Sequence, residues 1–466
     1  MHQQRAGEDG GHVDTWQQYL QENETRSIEE LQRLVRQRSI SSQGIGMREG
    51  AELVAAMLLE RGFTTEIWDT PGAPVVFGEL KGESDEALLF YNHYDVQPPE
   101  PYEAWEHDPF GAEIKDGLMH GRGTGDHKSS FVARLMAIEA LQQEGPLPLT
   151  IKFIVEGEEE IGSPNLAEVV KNNAARLRAA AGLYSGGAMD ENDNPVIRAG
   201  SKGMSYVELK VRSANIDLHS RWAAVVPSPV WRLVDALRTI KDPATDRILI
   251  EGFFDDVEGF DDADRFELRN HPLDDEFVLN DFGIDSFLGG VTGLDASEKL
   301  LFSPTCNISG LKAGYQGEGS KSVLPSEASA KLDLRLVPKQ DAADIVRKLR
   351  AHLDKHGFTD VEITQLGAIN PGRARLHEPI IRSLREAAVR AYPGEPVVQP
   401  IAPGSGPRYI FADHLGINLV ADAGCSYHGA GHHSPRENIR VIDYLRNAVH
   451  IGWLIKLFAE DLTKEP

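Results

Sequence analysis

One stretch constrains this chain more than any other: Ile151-Lys152-Phe153-Ile154-Val155, running into Glu156-Gly157-Glu158-Glu159-Glu160-Ile161-Gly162-Ser163. The apolar, β-branched run predicts a buried strand. It stops in four carboxylates within five residues. In α/β proteins, binding and catalytic groups gather at the carboxyl ends of parallel strands. Four acids at such an end repel one another unless a cation or a proton compensates them. An acidic run by itself usually reads as a solvated turn. Here further clusters along the chain also carry metal-ligand residues, which turns the reading toward a metal site.

The first is Ala87–Tyr91, which runs into Asn92-His93-Tyr94-Asp95. A neutral imidazole binds zinc, and a carboxylate two residues on can orient the ring. The second polar cluster is Gly121-Arg122-Gly123-Thr124-Gly125-Asp126-His127-Lys128, ahead of a helix predicted over 131–143. Its spacing fits neither phosphate-loop pattern, so it reads as a tight turn that holds Asp126 at a helix start. The third, His428-Gly429-Ala430-Gly431-His432-His433-Ser434-Pro435, supplies three histidines to a chain with acids waiting at other turns.

At 466 residues the chain exceeds one ordinary core. The pattern changes near Gly203: Tyr206–Val211 and Ala328–Val337 alternate like half-buried antiparallel strands. Helices are predicted over 229–240 and 342–356 and a strand over 361–366, whereas the acidic stretch 252–299 shows no clear period. The expected organisation is α/β: a catalytic, metal-binding domain over 14–202 and 374–466, with a mostly parallel mixed sheet between helices. Into it is inserted an α+β lid and dimerisation domain, 203–373, with an antiparallel sheet. Residues 1–13 are polar and expected to form a disordered tail. A net charge of −24 argues against nucleic acid or an anionic membrane as partner. There is no run of about 18 apolar residues, and no apolar segment suggests a secretory signal at the start. Two cysteines, Cys306 and Cys425, make no disulfide framework, so a cytoplasmic location is expected.

Taken together, these motifs resemble the dinuclear zinc peptidases and amidases of carnosinase, acetylornithine deacetylase, succinyl-diaminopimelate desuccinylase and glutamate carboxypeptidase, the carnosinase-like dipeptidase branch best. The matching pieces are Tyr91-Asn92-His93-Tyr94-Asp95-Val96-Gln97-Pro98, Gly121 to Lys128, Glu156 to Ser163, Asp217-Leu218-His219-Ser220, and His433-Ser434-Pro435-Arg436-Glu437-Asn438, in the family's order. The resemblance implies a hydrolase that cleaves the amide bond of a dipeptide or N-acyl amino acid. One or two Zn2+ per chain are implied, with Mn2+ or Co2+ as substitutes. His93 would bind one metal, with Asp95 orienting it; Asp126 would bridge two; Glu160 and His433 would complete the other site. Glu159 would be the general base and acid, and His219 would donate to the developing oxyanion. Arg335 would anchor the substrate's terminal carboxylate, with Asn307 and Ser405 as further substrate contacts. A homodimer is the family expectation.

Two departures stand out. The resemblance implies a carboxylate after the 182–184 strand as a ligand beside His93, but the chain reads Tyr184-Ser185-Gly186-Gly187. Asp190 or Glu191 would have to reach in, and a hydroxyl replaces a carboxylate poorly on zinc. His127, where the family has Asp or Asn, is another substitute. The altered position leaves two alternatives open: amide formation or transfer on a specialised substrate, or a non-catalytic relative that only binds a ligand.

Overall fold

The computed structural model describes residues 14–464; the tail expected over 1–13 lies outside the described residues. The chain forms two compact units. The first runs up to Ile197 and continues with His377–Val398 and the stretch from Val420 onward. The second takes Arg198–Leu376 together with Gln399–Leu419. The segment Gln399–Leu419, assigned above to the catalytic domain, thus clusters with the second unit. Its Ala402 exchanges backbone hydrogen bonds with Gly200 and Lys202, and Ile401 packs with Leu268, Leu301 and Phe302.

The first unit is built on a nine-stranded mixed sheet. At its centre the Ala87–His93 strand lies parallel to Thr150–Glu156 on one side and to Ala181–Tyr184 on the other. Every residue of these three strands is buried, the mark of a sheet covered on both faces. Val75–Leu80 and Thr64–Trp68 extend it antiparallel. Register places His93 opposite Glu156, so both acidic and imidazole strand ends emerge at one edge. The Ser129–Leu141 helix packs here with all but Glu139 buried, and the long Val441–Lys464 helix lies against it.

Arg134, from the middle of that buried helix, ties the strand ends together. One guanidinium nitrogen donates to the Tyr91 carbonyl and the Asn92 side chain, at 2.9 and 2.7 Å. The other donates to the Tyr184 carbonyl at 3.0 Å and to Asp422 at 3.3 Å. The described chain begins with two helices, Thr15–Glu22 and Glu24–Arg36. The break falls at Asn23, whose side-chain amide donates to the Tyr19 carbonyl, the local competition that asparagine offers a helix.

The second unit carries a four-stranded antiparallel sheet in the order Thr305–Ala313, Glu327–Leu336, Gly203–Arg212, Glu362–Ile369. The central strands alternate buried and half-exposed residues, and the buried face packs on the helices Pro229–Ile240 and Ala342–Lys355. Ser228 and Asp341 cap those helices by accepting the Trp231 and Asp344 amides.

Candidate metal centre

The four acids at the end of Thr150–Glu156 go four different ways. Glu156 turns into the sheet and accepts the hydroxyls of Tyr91 (2.6 Å) and Ser163 (2.8 Å). Burial and the neighbouring Asp95 push its carboxyl up to about 8, against those two bonds. Glu158 accepts the Asn165 amide at 2.7 Å. Glu159 and Glu160 open a short 3-10 turn, Glu159–Ile161. The Glu160 carboxylate accepts from Gln97 at 3.0 Å and lies 3.3 Å from His433 Nε2.

Asp126 stands between the two histidine-bearing segments. Its Oδ1 is 3.3 Å from His93 Nε2 and 3.0 Å from His127 Nε2; its Oδ2 is 2.9 Å from His433 Nε2. Two groups of donors therefore meet on one carboxylate: His93, Asp126 and His127, and Asp126, Glu160 and His433, each with donor atoms within 4.8 Å of one another. Each group mixes imidazole nitrogen with carboxylate oxygen, a set that suits zinc, cobalt or manganese. Electrostatics favour a cation too. Hydrogen bonding to the Asp126 and Glu160 carboxylates lifts His433 to about 10. Burial, with the negative charge of Asp126 and Glu160, raises Glu159 to about 7. The residues fit a metal pair.

Around these donors the chain fixes orientation. His93 Nδ1 faces the Asp95 backbone carbonyl at 3.1 Å, which turns Nε2 toward Asp126. The Asp95 carboxylate accepts the backbone amides of Glu159 (3.2 Å) and Glu160 (3.0 Å), so it holds the turn that presents both acids. Tyr184 donates its hydroxyl to Glu159 Oε1 at 2.8 Å, and its ring stacks on Tyr91. The glycine-rich turn is filled from within: Glu437 Oε1 accepts the amides of Gly123, Gly125 and Asp126, while Oε2 pairs with Arg122. A nest of amides that would otherwise take an anion holds the chain's own carboxylate. Glu437 sat in a quoted motif without a role; three glycine-rich amides needing an acceptor were the signal.

Asp190 does not join either group. Its carboxylate accepts the amides of Asn192 and Asn194 and the Asn194 side chain, closing its own turn. Glu191 is absent from both groups as well. The remaining named residues belong to the second unit. Arg335 donates to the Ser405 hydroxyl at 3.0 Å and pairs with Asp333 at 3.1 Å. Asn307 lies opposite Asp333 on the neighbouring strand. His219 is exposed, its Nδ1 accepting the Arg221 amide at 3.1 Å.

Residues 89–452 match the family model described as peptidase family M20/M25/M40. The chain belongs to this family. It is 29% identical to human Beta-Ala-His dipeptidase over 293 residues, 61% of this chain and 57% of the human protein, so the match spans little more than half of that relative. It is 28% identical to the Cys-Gly metallodipeptidase of Schizosaccharomyces pombe over 299 residues, 62% of this chain and 61% of that protein. Among solved structures, an M20 family metallo-carboxypeptidase from Sulfolobus solfataricus superposes with a TM-score of 0.88 at 35% identity, covering 93% of this chain and 99% of the other. The α/β unit with its separate antiparallel sheet is the architecture of this family.

Proposed function

We propose that the chain is a metal-dependent amidohydrolase that cleaves the amide bond of a dipeptide or N-acyl amino acid, with zinc as its metal. The observation that carries this reading is the Asp126 carboxylate shared by two donor groups, with Glu159 set beside them. His93 and Asp126 would hold one ion, and Asp126, Glu160 and His433 the other. A divalent ion there supplies Lewis acidity, polarising the amide carbonyl and bringing the pKa of water to about 7. Glu159 takes the proton from the attacking water and returns it to the leaving nitrogen, so amide and water become carboxylate and amine. Its Tyr184 bond and the Asp95-capped turn hold it in place, and a carboxyl lifted to about 7 is suited to both transfers.

In the second unit, Arg335 is proposed to bind the substrate's terminal carboxylate, with Ser405 and Asn307 beside it, and His219 to donate to the oxyanion. The dipeptidase and metallo-carboxypeptidase relatives support a substrate with a free carboxyl end. A homodimer and a cytoplasmic location belong to the same proposal; both cysteines are free and buried, and no helix among the described residues is long and apolar enough to cross a membrane.

The test is a panel of dipeptides and N-acyl amino acids offered to zinc-loaded protein and to Glu159→Gln. The variant should lose activity by about 10²–10⁴-fold, the usual worth of a general base, while binding the same metal. A loaded wild-type protein inert toward every amide in the panel would end the proposal.

A further inference from the structure

We infer that His127, through Nε2, is the third protein ligand of the ion held by His93 and Asp126, at the place where the Tyr184–Gly187 turn brings no carboxylate. The inference deepens the proposed function and rests on it. The His127 and His93 nitrogens both face Asp126 Oδ1, at 3.0 and 3.3 Å. Their rings meet edge to face, 5.6 Å apart at 85°, so they approach the same oxygen from different directions rather than stacking. His93 Nδ1 faces the Asp95 carbonyl, which leaves its Nε2 turned to the same Asp126 oxygen. Two imidazole nitrogens and a carboxylate oxygen within 4.8 Å of one another make a donor set that suits a divalent ion.

Room for this donor comes from the opposite turn. A Cβ on Gly186 would stand 2.9 Å from His127 Nε2, and the backbone there has φ +116°. The turn thus lacks a side chain at the point where His127 delivers its nitrogen. On its other side the His127 ring meets His432 edge to face at 5.6 Å, and His432 is itself fixed by the Ser426 hydroxyl at 2.6 Å. The imidazole is clamped between a bare glycine and an anchored ring.

The two ions would then sit in unlike surroundings. One has two imidazoles and a carboxylate, the other one imidazole and two carboxylates. Nitrogen donors favour zinc or cobalt over manganese, which prefers oxygen. The first site should therefore discriminate against manganese and the second should not.

The experiment measures zinc per chain by elemental analysis and equilibrium competition on wild type, His127→Ala and His127→Asp, with zinc-edge X-ray absorption on each. Wild type should hold two ions with three imidazoles between them. His127→Ala should weaken one site by about 100-fold or more, since even a residue that only supports a ligand costs 10–100-fold. His127→Asp should restore two ions with two imidazoles between them. Two ions held by His127→Ala at unchanged affinity, or two imidazoles rather than three in loaded wild type, would overturn the assignment and leave the hydrolase reading standing. Should His127→Ala fail to fold, the imidazole count of wild type decides alone. Wild type that takes up no zinc would instead bring down the proposed function, and this inference with it.

Discussion

The guanidinium of Arg335 is held by Ser405 at 3.0 Å and by Asp333 at 3.1 Å, on a strand whose alternate residues are buried. Such a fork is preorganised for a carboxylate, and charge-assisted bonds of this kind contribute about 1.5–3 kcal/mol each. Arg335→Ala should raise KM for free dipeptides by about 10–100-fold with a smaller effect on kcat. It should also erase the preference for a free over an amidated carboxyl end; an unchanged ratio between those substrates would remove Arg335 from recognition. At this scale the motifs, and the family resemblance they carry, pointed to the candidate donors, because metal chemistry restricts residue type and spacing. His93, Asp126, Glu160 and His433 were named from such motifs and stand together. What could not be read was side-chain direction. Asp190 lies close in sequence yet spends its carboxylate on its own turn. His127 follows Asp126 directly, but the backbone leaves helical values at both residues, φ −123° and −137°, which sends the imidazole back toward the donor cluster.

Among the elements, the buried Ser129–Leu141 helix acts through Arg134. Four acceptors from three separate stretches converge on its guanidinium, and both Arg134 and Asp422 have fully buried side chains. Replacing a buried pair with well-packed apolar groups can be neutral, but removing one partner strands the other charge and costs about 3–5 kcal/mol. Arg134→Met should therefore lower the unfolding free energy measured in urea by that order, and Arg134→Met combined with Asp422→Asn should recover part of the loss. A single variant with wild-type stability would show that the convergence on Arg134 is incidental. The strands and long helices of both units were legible because their apolar period is sustained. The stretch 252–299 was not. It folds into helices Asp262–Asn270, Asp275–Phe282 and Gly293–Phe302. Some of its acids are caps: Asp261 and Asp264 form a capping box, and Asp274 accepts the Phe277 amide. Residues Phe266, Phe277 and Phe282 remain exposed, so no clean apolar face marks these short helices.

For the whole molecule, the division into units separates two kinds of stability. Every donor of the proposed metal pair belongs to the first unit. The second unit has its own core across the antiparallel sheet and the helices Pro229–Ile240 and Ala342–Lys355, and none of the proposed donors lies in it. A ligand that binds only the folded state stabilises it by RT ln(1 + [L]/Kd), about 2.7 kcal/mol at one hundred times Kd. For a unit of a few hundred residues that amounts to roughly 5–10 °C. Chelation should therefore shift one thermal transition downward by this order and leave another near its place, when the protein is scanned calorimetrically with and without zinc. The chain length makes one all-or-none transition unsafe to assume, so the scan itself decides whether the units melt separately. Two transitions with only one responding to zinc would tie metal binding to the folding of the first unit. Equal shifts in both would mean that the second unit unfolds only when the first does, and that its core does not sustain it independently.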